Sequence, residues 1–416
     1  MFDREAFPSY TPEYFFMGII IPRPRRTVMS EIPQPITAAP DSGELARRLE
    51  MVRRLMRQKG LDYYVSFDPV NIYYLTSFAN NVHERPFILV IPLQGKPVML
   101  CPLLESSHVK ARARCELEYA TYYEFPAPRG ENWFDVYKTL VPGGAKVGVE
   151  SAMPMGIAKK TPGKKVIEDI IDQARLVKTG YEIGRTVHAC SVVNEGHKKL
   201  LEVTRPGVAE VMIYGEVARL MMGKTLMEIP EANLIVSKFI GAVWPPSISH
   251  DPHRVPTAFM KMEEGGPHVS IVAAQVDGYG VEVERTFFLG KVPEHAKKPF
   301  AAMLKARALA YKLARPGEVL EKIDKRVRRV FEKAGYGDYI IHRTGHGFGI
   351  TGHEAPYVAL GDKRKLEPGM LISIEPGIYI PGQGGYRHSD TVLITDTGNL
   401  CLTEAPVTLK ELTIAL

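Results

Sequence analysis

Carboxylates recur in a strand-like segment of the C-terminal half, and their spacing suits cation binding or acid–base chemistry. Glu282 and Glu284 are two residues apart in an apolar run, so both side chains should lie on the same face of a strand. Two carboxylates on one buried face repel each other unless a cation, a proton or a cationic ligand lies between them. On this segment alone, a solvated outer strand face would explain the pair equally well.

A glycine-rich segment at 344–354 carries two histidines, His346 and His353. Glycine lets the backbone bend closely around a site, and histidine can act as a general acid, a general base or a metal ligand. Further along the chain, Glu375 ends an apolar run that predicts a buried strand. A carboxylate is costly there unless it is paired, so we interpret Glu375 as functional. For His353 the alternative is a hydrogen bond that only stabilises the loop.

Strands and helices must alternate along the chain to position these residues. Apolar spacing predicts helices at 44–58, 180–203, 210–222, 299–314 and 319–334. Strand-like runs are found at 63–67, 87–92, 97–101, 146–150, 269–274, 281–289, 371–374 and 391–395. Interleaving of this kind predicts an α/β or α+β protein. Two helix pairs are each interrupted by Pro-Gly, at 206–207 and 316–317, which suggests an internal duplication.

The chain has 416 residues, which is long for one core and suits two domains. We predict an N-terminal arm at 1–43, a small α/β domain at 44–174 and a larger domain at 175–416. The arm is rich in proline and shows little periodicity. It is therefore predicted to pack along a surface or to reach a partner subunit, with disorder as the alternative.

Composition argues against nucleic-acid and membrane partners. The formal net charge is +6, but Lys and Arg are scattered, and the short basic run at 23–26 is interrupted by a proline. No apolar stretch approaches the roughly 20 residues needed to cross a bilayer, and no signal peptide is evident. The four cysteines show no metal-binding spacing, so we predict free thiols in the cytoplasm.

The order of the motifs resembles the pita-bread family, which includes methionine aminopeptidases, aminopeptidase P, prolidase, creatinase, ectoine hydrolase and one type of dimethylsulfoniopropionate lyase. The order is His253, then Gly-Tyr and Glu-Arg-Thr within 278–286, Gly-His-Gly-x-Gly at 345–349, Ile-Glu-Pro-Gly at 374–377, and Gly-Gly-x-Arg followed by Asp-Thr at 384–391. Residues 67–76 resemble the N-terminal domain of the creatinase and prolidase branch, and 175–178 its interdomain junction. The resemblance implies a small N-terminal α/β domain followed by a pita-bread domain.

Metal-dependent members of this family hold two ions with Asp, Asp, His, Glu and Glu. Aligned on Gly-Tyr at 278–279, the motif places Ile271 and Ser389 at the first and fifth ligand positions, and Glu282, His346 and Glu375 at the other three. Isoleucine cannot bind a metal, and serine replaces a bridging carboxylate poorly. We therefore predict that the two-metal centre is lost and that no cofactor is required. The alternative is one divalent ion held by Glu282, His346 and Glu375.

Creatinase, the metal-free member, has the most similar motifs. It carries Leu-Glu-Arg-Thr where this chain has 283–286, Gly-Arg-Pro-Tyr where it has 84–87, and Gly-Gly-Tyr-Arg where it has 384–387. This resemblance implies that His253 shuttles a proton and that Glu284 and Glu375 hold a cationic group. It also implies that Arg85 of a partner subunit binds a substrate carboxylate.

The remaining site residues are assigned by the same resemblance. His346 and His353 join His253, Glu284 and Glu375 as predicted catalytic residues. The predicted substrate-binding residues are Arg85, His83, Glu282, Tyr279 and Arg387. Strand packing is the alternative role for Tyr279. Creatinase has a small residue at the position of Glu282, a histidine at that of Ser389 and a phenylalanine near that of His83. These departures predict a substrate of different shape or charge.

The resulting hypothesis is a metal-independent, creatinase-like hydrolase that acts as a cytoplasmic homodimer. It would cleave a C–N bond in a small zwitterion that bears a cationic nitrogen and a carboxylate. One alternative is an enzyme that resembles dimethylsulfoniopropionate lyase or an Xaa-Pro peptidase and retains a single metal. The other is a non-catalytic pita-bread binding protein.

Overall fold

A computed structural model of the chain describes residues 31–416. Residues 1–30 of the predicted arm, with the basic run at 23–26, lie outside the described residues. Within 31–416, no helix is both long enough and apolar enough to cross a membrane. The cytoplasmic location stays a prediction.

The N-terminal part of the described chain is built on a mixed six-stranded sheet with the strand order β4-β3-β2-β1-β5-β6. Its strands are β1 (Tyr63–Ser66), β2 (Ile88–Pro92), β3 (Val98–Pro102), β4 (Glu118–Tyr122), β5 (Lys146–Val149) and β6 (Lys164–Ile167). Its helices are α1 (Ser42–Lys59), α2 (Pro69–Thr76), α3 (Ser106–Arg112), α4 (Trp133–Tyr137), α5 (Met155–Lys160) and α6 (Ile170–Arg175). Alternate residues of β1 enter different cores: Tyr64 packs with the cluster around α1 and α2, and Val65 with the cluster around α4.

The C-terminal part carries longer helices and three further sheets. Its helices are α7 (Gly180–Val203), α8 (Glu210–Glu228), α9 (Glu294–Leu313) and α10 (Leu320–Lys333). Its strands are β7 (Lys238–Trp244), β8 (Gly265–Val276), β9 (Tyr279–Leu289), β10 (Gly345–Gly347), β11 (Glu354–Val358), β12 (Leu371–Ile374), β13 (Gly377–Ile380), β14 (Gly384–Arg387), β15 (Asp390–Ile394), β16 (Asn399–Cys401) and β17 (Thr413–Ile414).

The sheets of the C-terminal part meet where β9 passes the start of β15. One sheet has the order β17-β9-β8-β7 and another the order β11-β10-β12-β15-β16, while β13 and β14 form a hairpin. An antiparallel bridge between Glu284 and Ser389 joins the first two sheets. Helices α7 to α10 contribute most of the remaining side chains of the shared core, including Val192, Val217 and Phe331.

The predicted α/β or α+β class is confirmed, and most of the predicted elements form. The two Pro-Gly sites do separate helix pairs, and Gly207 and Gly317 each adopt a positive φ, of 82° and 87°, that favours glycine. The second pair begins earlier than predicted, because Pro299 suggested a helix start whereas Glu294 opens the first turn of α9. The boundaries at 43 and 174 stay predictions.

The described end of the arm lies along α7. The backbone N–H of Ile36 donates to the carbonyl oxygen of Gly184 at 3.0 Å, and the Arg185 guanidinium donates to the carbonyls of Thr37 and Ala38. A Cβ atom at Gly184 would lie 2.6 Å from the Ile36 side chain. A glycine is therefore needed where the arm crosses this helix.

Buried charges join the N-terminal part to the start of β11. The carboxylate of Glu354 accepts a hydrogen bond from Lys178 Nζ at 2.9 Å and forms an ion pair with the guanidinium of Arg175. Burial alone would raise the pKa of Glu354, but the charges of Lys178 and Arg175 lower it to about 2. Arg175 also donates to the side chain of Asn71 in α2 at 2.8 Å.

We expect Glu354→Gln to lower the free energy of unfolding by roughly 3–5 kcal/mol, because it leaves two buried cations without their carboxylate. Urea denaturation followed by circular dichroism measures this change. The control is Glu294→Gln, which removes an exposed ion pair with Lys297 and should change stability little. Equal effects of the two substitutions would contradict this account of the junction.

Candidate metal centre and active site

Strand β9 places both of its carboxylates on one buried face. Glu282 and Glu284 are 6% and 2% exposed, so the alternative of a solvated strand face does not apply. In the β8–β9 ladder, Glu282 lies opposite Ala273, and Glu284 lies opposite Ile271. The apolar side of β8 therefore supplies no carboxylate, and the negative charge comes from β9.

Strand β10 brings His346 to this face because glycines flank it. A Cβ atom at Gly345 would lie 2.2 Å from the carbonyl oxygen of Ser373 in β12, and one at Gly347 would lie 2.4 Å from that of Ala355 in β11. Only glycine permits so close an approach on both sides. The backbone N–H of His346 donates to Ser373 Oγ at 2.9 Å, and this bond holds in place the backbone that carries the imidazole.

The imidazole of His346 points its Nε2 atom at two carboxylates. Nε2 lies 3.5 Å from Glu282 Oε1 and 3.3 Å from Glu375 Oε1. Its Nδ1 atom lies 3.1 Å from the carbonyl oxygen of Gly347 and can donate to it. Nε2 is thus buried between these two carboxylates. A histidine that donates through one nitrogen and turns the other to carboxylates is typical of a metal ligand.

The electrostatics of this cluster call for positive charge between the carboxylates. Burial alone would lower the pKa of His346, but the charges of Glu282 and Glu375 raise it to about 9. Burial raises the pKa of Glu375 to about 7, against the opposing charge of His346. Without an ion, a proton on His346 balances part of the negative charge, and a metal would replace that proton.

Glu284 is already paired. Its carboxylate accepts a hydrogen bond from Arg387 Nη2 at 2.7 Å, and the Nε atom of Arg387 contacts its second oxygen. Burial lowers the pKa of the Arg387 guanidinium, but the neighbouring Glu284 raises it above its ordinary value, so it stays charged. Glu284 and Arg387 were predicted to bind a substrate, but each is the main partner of the other.

Three polar residues around the cluster were missed by sequence reasoning. Tyr379, in β13, lies with its hydroxyl 2.9 Å from His342 Nε2. The guanidinium of Arg343 stacks over the ring of Tyr357 at 4.7 Å, and its Nη2 atom lies 3.4 Å from His353 Nδ1. Within residues 31–416, Arg343 forms no ion pair with a carboxylate. The only signal for Arg343 was its position three residues before His346.

The other predicted histidines lie at the outer side of the cluster. The exposed ring of His353 stacks on that of His346, with centroids 3.8 Å apart. Burial and the charge of His346 lower the pKa of His353 to about 4, with a smaller contribution from His253. His253 itself is exposed in the loop between β7 and β8, close enough to act on His353 electrostatically.

Three predicted substrate-binding residues lie elsewhere in the chain. Arg85 pairs with Glu84 and Glu124 in the N-terminal part, and the ring of His83 packs against Phe87. Tyr279 lies on the opposite face of β9 from the carboxylates, because it is an odd number of residues away from each of them along the strand. Its hydroxyl accepts from Arg48 at 2.9 Å in the contact between the two parts of the chain. This placement favours packing as the role of Tyr279.

The donor set fits a divalent ion. Glu282, His346 and Glu375 supply two carboxylates and an imidazole: His346 Nε2 lies 3.5 and 3.3 Å from the two carboxylates, whose oxygens lie within 4.8 Å of each other. Oxygen and nitrogen donors of this kind suit zinc, manganese or iron. Ser389, at the expected position of a fifth ligand, instead donates its hydroxyl hydrogen to Glu282 Oε1 at 2.9 Å. Ile271 offers no ligand atom.

Comparison with known families decides the class of the protein. Residues 184–396 match the metallopeptidase family M24, and residues 48–178 match the creatinase/prolidase N-terminal domain. The first match covers half of the chain and includes the carboxylate cluster. The chain belongs to metallopeptidase family M24.

Individual M24 relatives match over nearly their whole length. A probable dipeptidase PepE of Mycobacterium tuberculosis is 29% identical over 375 residues, 88% of this chain and 96% of that protein. An Xaa-Pro dipeptidase of Pyrococcus furiosus is 28% identical over 369 residues, 86% of this chain and 98% of the relative. The crystal structure of dipeptidase PepE from Mycobacterium ulcerans superposes with a TM-score of 0.77 at 26% identity, covering 91% of this chain and all of that one.

These findings confirm the pita-bread fold, the two-part architecture and the assignment as a hydrolase, and they correct two predictions. A metal-free, creatinase-like hydrolase of C–N bonds is wrong, because the M24 relatives are named as peptidases of dipeptides. The prediction that no cofactor is required is wrong for the same reason. The physical reasons are two. Glu282, His346 and Glu375 remain in place although Ile271 and Ser389 supply no ligand. The carboxylate of Glu284, predicted to hold a cationic substrate, is already paired with Arg387.

We expect Ser389→Ala to weaken Mn²⁺ binding about 10-fold, because the hydroxyl that orients Glu282 is lost. Isothermal titration calorimetry of the metal-stripped protein measures the affinity. Ser247→Ala is a matched control, since it removes an exposed serine–glutamate hydrogen bond to Glu263. Unchanged affinity in Ser389→Ala would show that this hydroxyl does not orient the ligand.

Proposed function

We propose that this M24 protein is a metal-dependent dipeptidase with a preference for Xaa-Pro dipeptides or similar short peptides. The observation that carries the proposal is the buried Nε2 atom of His346, which lies 3.5 Å from Glu282 Oε1 and 3.3 Å from Glu375 Oε1. Two buried carboxylates around one imidazole nitrogen form a set of donors that suits a divalent ion.

The relatives support the choice of substrate. They are named as a probable dipeptidase and as an Xaa-Pro dipeptidase, and each is matched over at least 96% of its length. A prolidase of Pyrococcus horikoshii of known structure also superposes with a TM-score of 0.76 at 26% identity, over 87% of this chain and 99% of that one. A fold shared over most of both chains supports a shared reaction class.

Glu282, His346 and Glu375 would hold the ion, and Ser389 would orient Glu282 through its hydroxyl. A divalent ion bound there supplies Lewis-acid activation of the peptide carbonyl and of the attacking water. His353 lies on the exposed side of His346 and can hydrogen-bond to the peptide. Arg343, beside it and without a carboxylate partner in residues 31–416, suits the C-terminal carboxylate of a dipeptide through a bidentate contact.

A homodimer with Arg85 reaching the partner's site remains part of this proposal, and His83 lies two residues before Arg85. The Arg85 side chain is 26% exposed and the His83 side chain 30% exposed, so both keep surface available for a second subunit. His253, predicted to shuttle a proton, is assigned here instead as a polar group at the outer side of the cluster, near His353.

We expect the purified protein to hydrolyse Ala-Pro only when loaded with a divalent ion such as Mn²⁺. Removal of the ion by EDTA should abolish proline release, and Mn²⁺ should restore it. His346→Ala should lower both metal content and kcat/KM by more than about 100-fold, since even outer-shell partners of a metal contribute 10- to 100-fold. His108→Ala, at an exposed histidine, is the control.

The same assay includes Ala-Ala and creatine as competing substrates. Hydrolysis of Ala-Pro but not of creatine supports the proposal, and faster hydrolysis of Ala-Ala would replace Xaa-Pro specificity by a broader dipeptidase activity. Full activity after chelation, with no metal detected in the protein, would contradict it.

A further inference from the structure

We infer that the guanidinium of Arg387 serves as the second cation of the centre, so that this protein binds a single divalent ion and excludes another. The inference rests on the proposed function, because it takes Glu282, His346 and Glu375 as the site of that ion. It goes further by assigning to Arg387 and Glu284 a role in the metal stoichiometry.

The first support is the position of Glu284. Within the described residues, the carboxylates of Glu282, Glu284 and Glu375 form one cluster whose oxygens could all reach a common ion. Both carboxylate oxygens of Glu284 instead contact the guanidinium of Arg387. Residues directly opposite in an antiparallel ladder share a face, so Glu284 stands beside the apolar side chain of Ile271. Because β8 has no carboxylate at this position, the negative charge there comes from Glu284, and the guanidinium of Arg387 neutralises it.

The second support is that Arg387 cannot easily move aside. The residue is 4% exposed at the end of β14, and its backbone N–H donates to Thr286 Oγ1 at 2.9 Å. Its guanidinium contacts both carboxylate oxygens of Glu284. A buried cation fixed from two directions behaves as a permanent part of the site.

The third support is the balance of charge. The three clustered carboxylates carry three negative charges, Arg387 contributes one positive charge, and one divalent ion brings the remaining two. A second divalent ion would leave two uncompensated positive charges in a buried site, where desolvation costs several kcal/mol per ion. The arrangement is thus neutral with one ion and unfavourable with two.

The experiment counts Mn²⁺ ions on the full-length protein by calorimetric titration and elemental analysis after removal of free metal. We expect about one Mn²⁺ per wild-type chain, with the electron paramagnetic resonance spectrum of isolated Mn²⁺. Arg387→Gln frees the Glu284 carboxylate and should raise the count to about two, with a spectrum that shows spin coupling. Arg387→Gln combined with Glu284→Gln removes that carboxylate and should return the count to about one.

Arg219→Gln, at an exposed arginine, is the control and should leave the count at one. Circular dichroism establishes that each variant is folded, and the wild-type count and spectrum test the inference even where Arg387→Gln does not fold. Two coupled ions in the wild type would overturn the inference but leave the proposed function standing. No bound ion in the wild type would overturn both. A folded Arg387→Gln that still binds one ion would show that Arg387 does not exclude the second.

Discussion

The protein buries three carboxylates between its sheets, and the rest of the site follows from the need to neutralise them. In a medium of low polarity an unpaired carboxylate costs several kcal/mol, so each must meet a cation or a donor. Arg387 meets Glu284, and His346 lies between Glu282 and Glu375. The contacts of His346 can form because glycines on either side of it let three strands approach one another closely.

Much of the fold could be predicted from the sequence, because apolar periodicity and Pro-Gly turns act locally. The alternation of β9 placed Glu282 and Glu284 on one face, and the apolar run before Glu375 indicated a buried strand end. Tyr279 was predicted to bind a substrate, although the same alternation puts it on the other face, where its hydroxyl accepts from Arg48 of α1. Local patterns determine which face a side chain takes and not which partner it finds.

The partners that decide the chemistry are distant in the chain. Arg387 and Glu284 are separated by more than one hundred residues, and no spacing rule connects them. Because the pairing with Arg387 is not evident from the sequence, Glu284 was predicted to hold a cationic group of the substrate. That prediction supported a metal-free mechanism. The missing ligands at Ile271 and Ser389 favoured the prediction that no cofactor is required, and the three ligands that remain were the alternative site for one ion. A site is better judged by where buried charges of one sign converge, and here Glu282 and Glu375 converge on His346.

The buried contact at Glu354 has a consequence for the modularity of this protein. Glu354 follows His353 directly, and its carboxylate is held by Arg175 and Lys178, which lie between the six-stranded sheet and α7. The histidine at the open side of the site is therefore anchored through the segment that links the two parts of the chain. A chimaera that exchanges the N-terminal domain must carry Arg175 and Lys178 with the C-terminal portion, since a graft made beyond them would release the loop that aligns His353. The two parts are separate in topology, yet they are not interchangeable units.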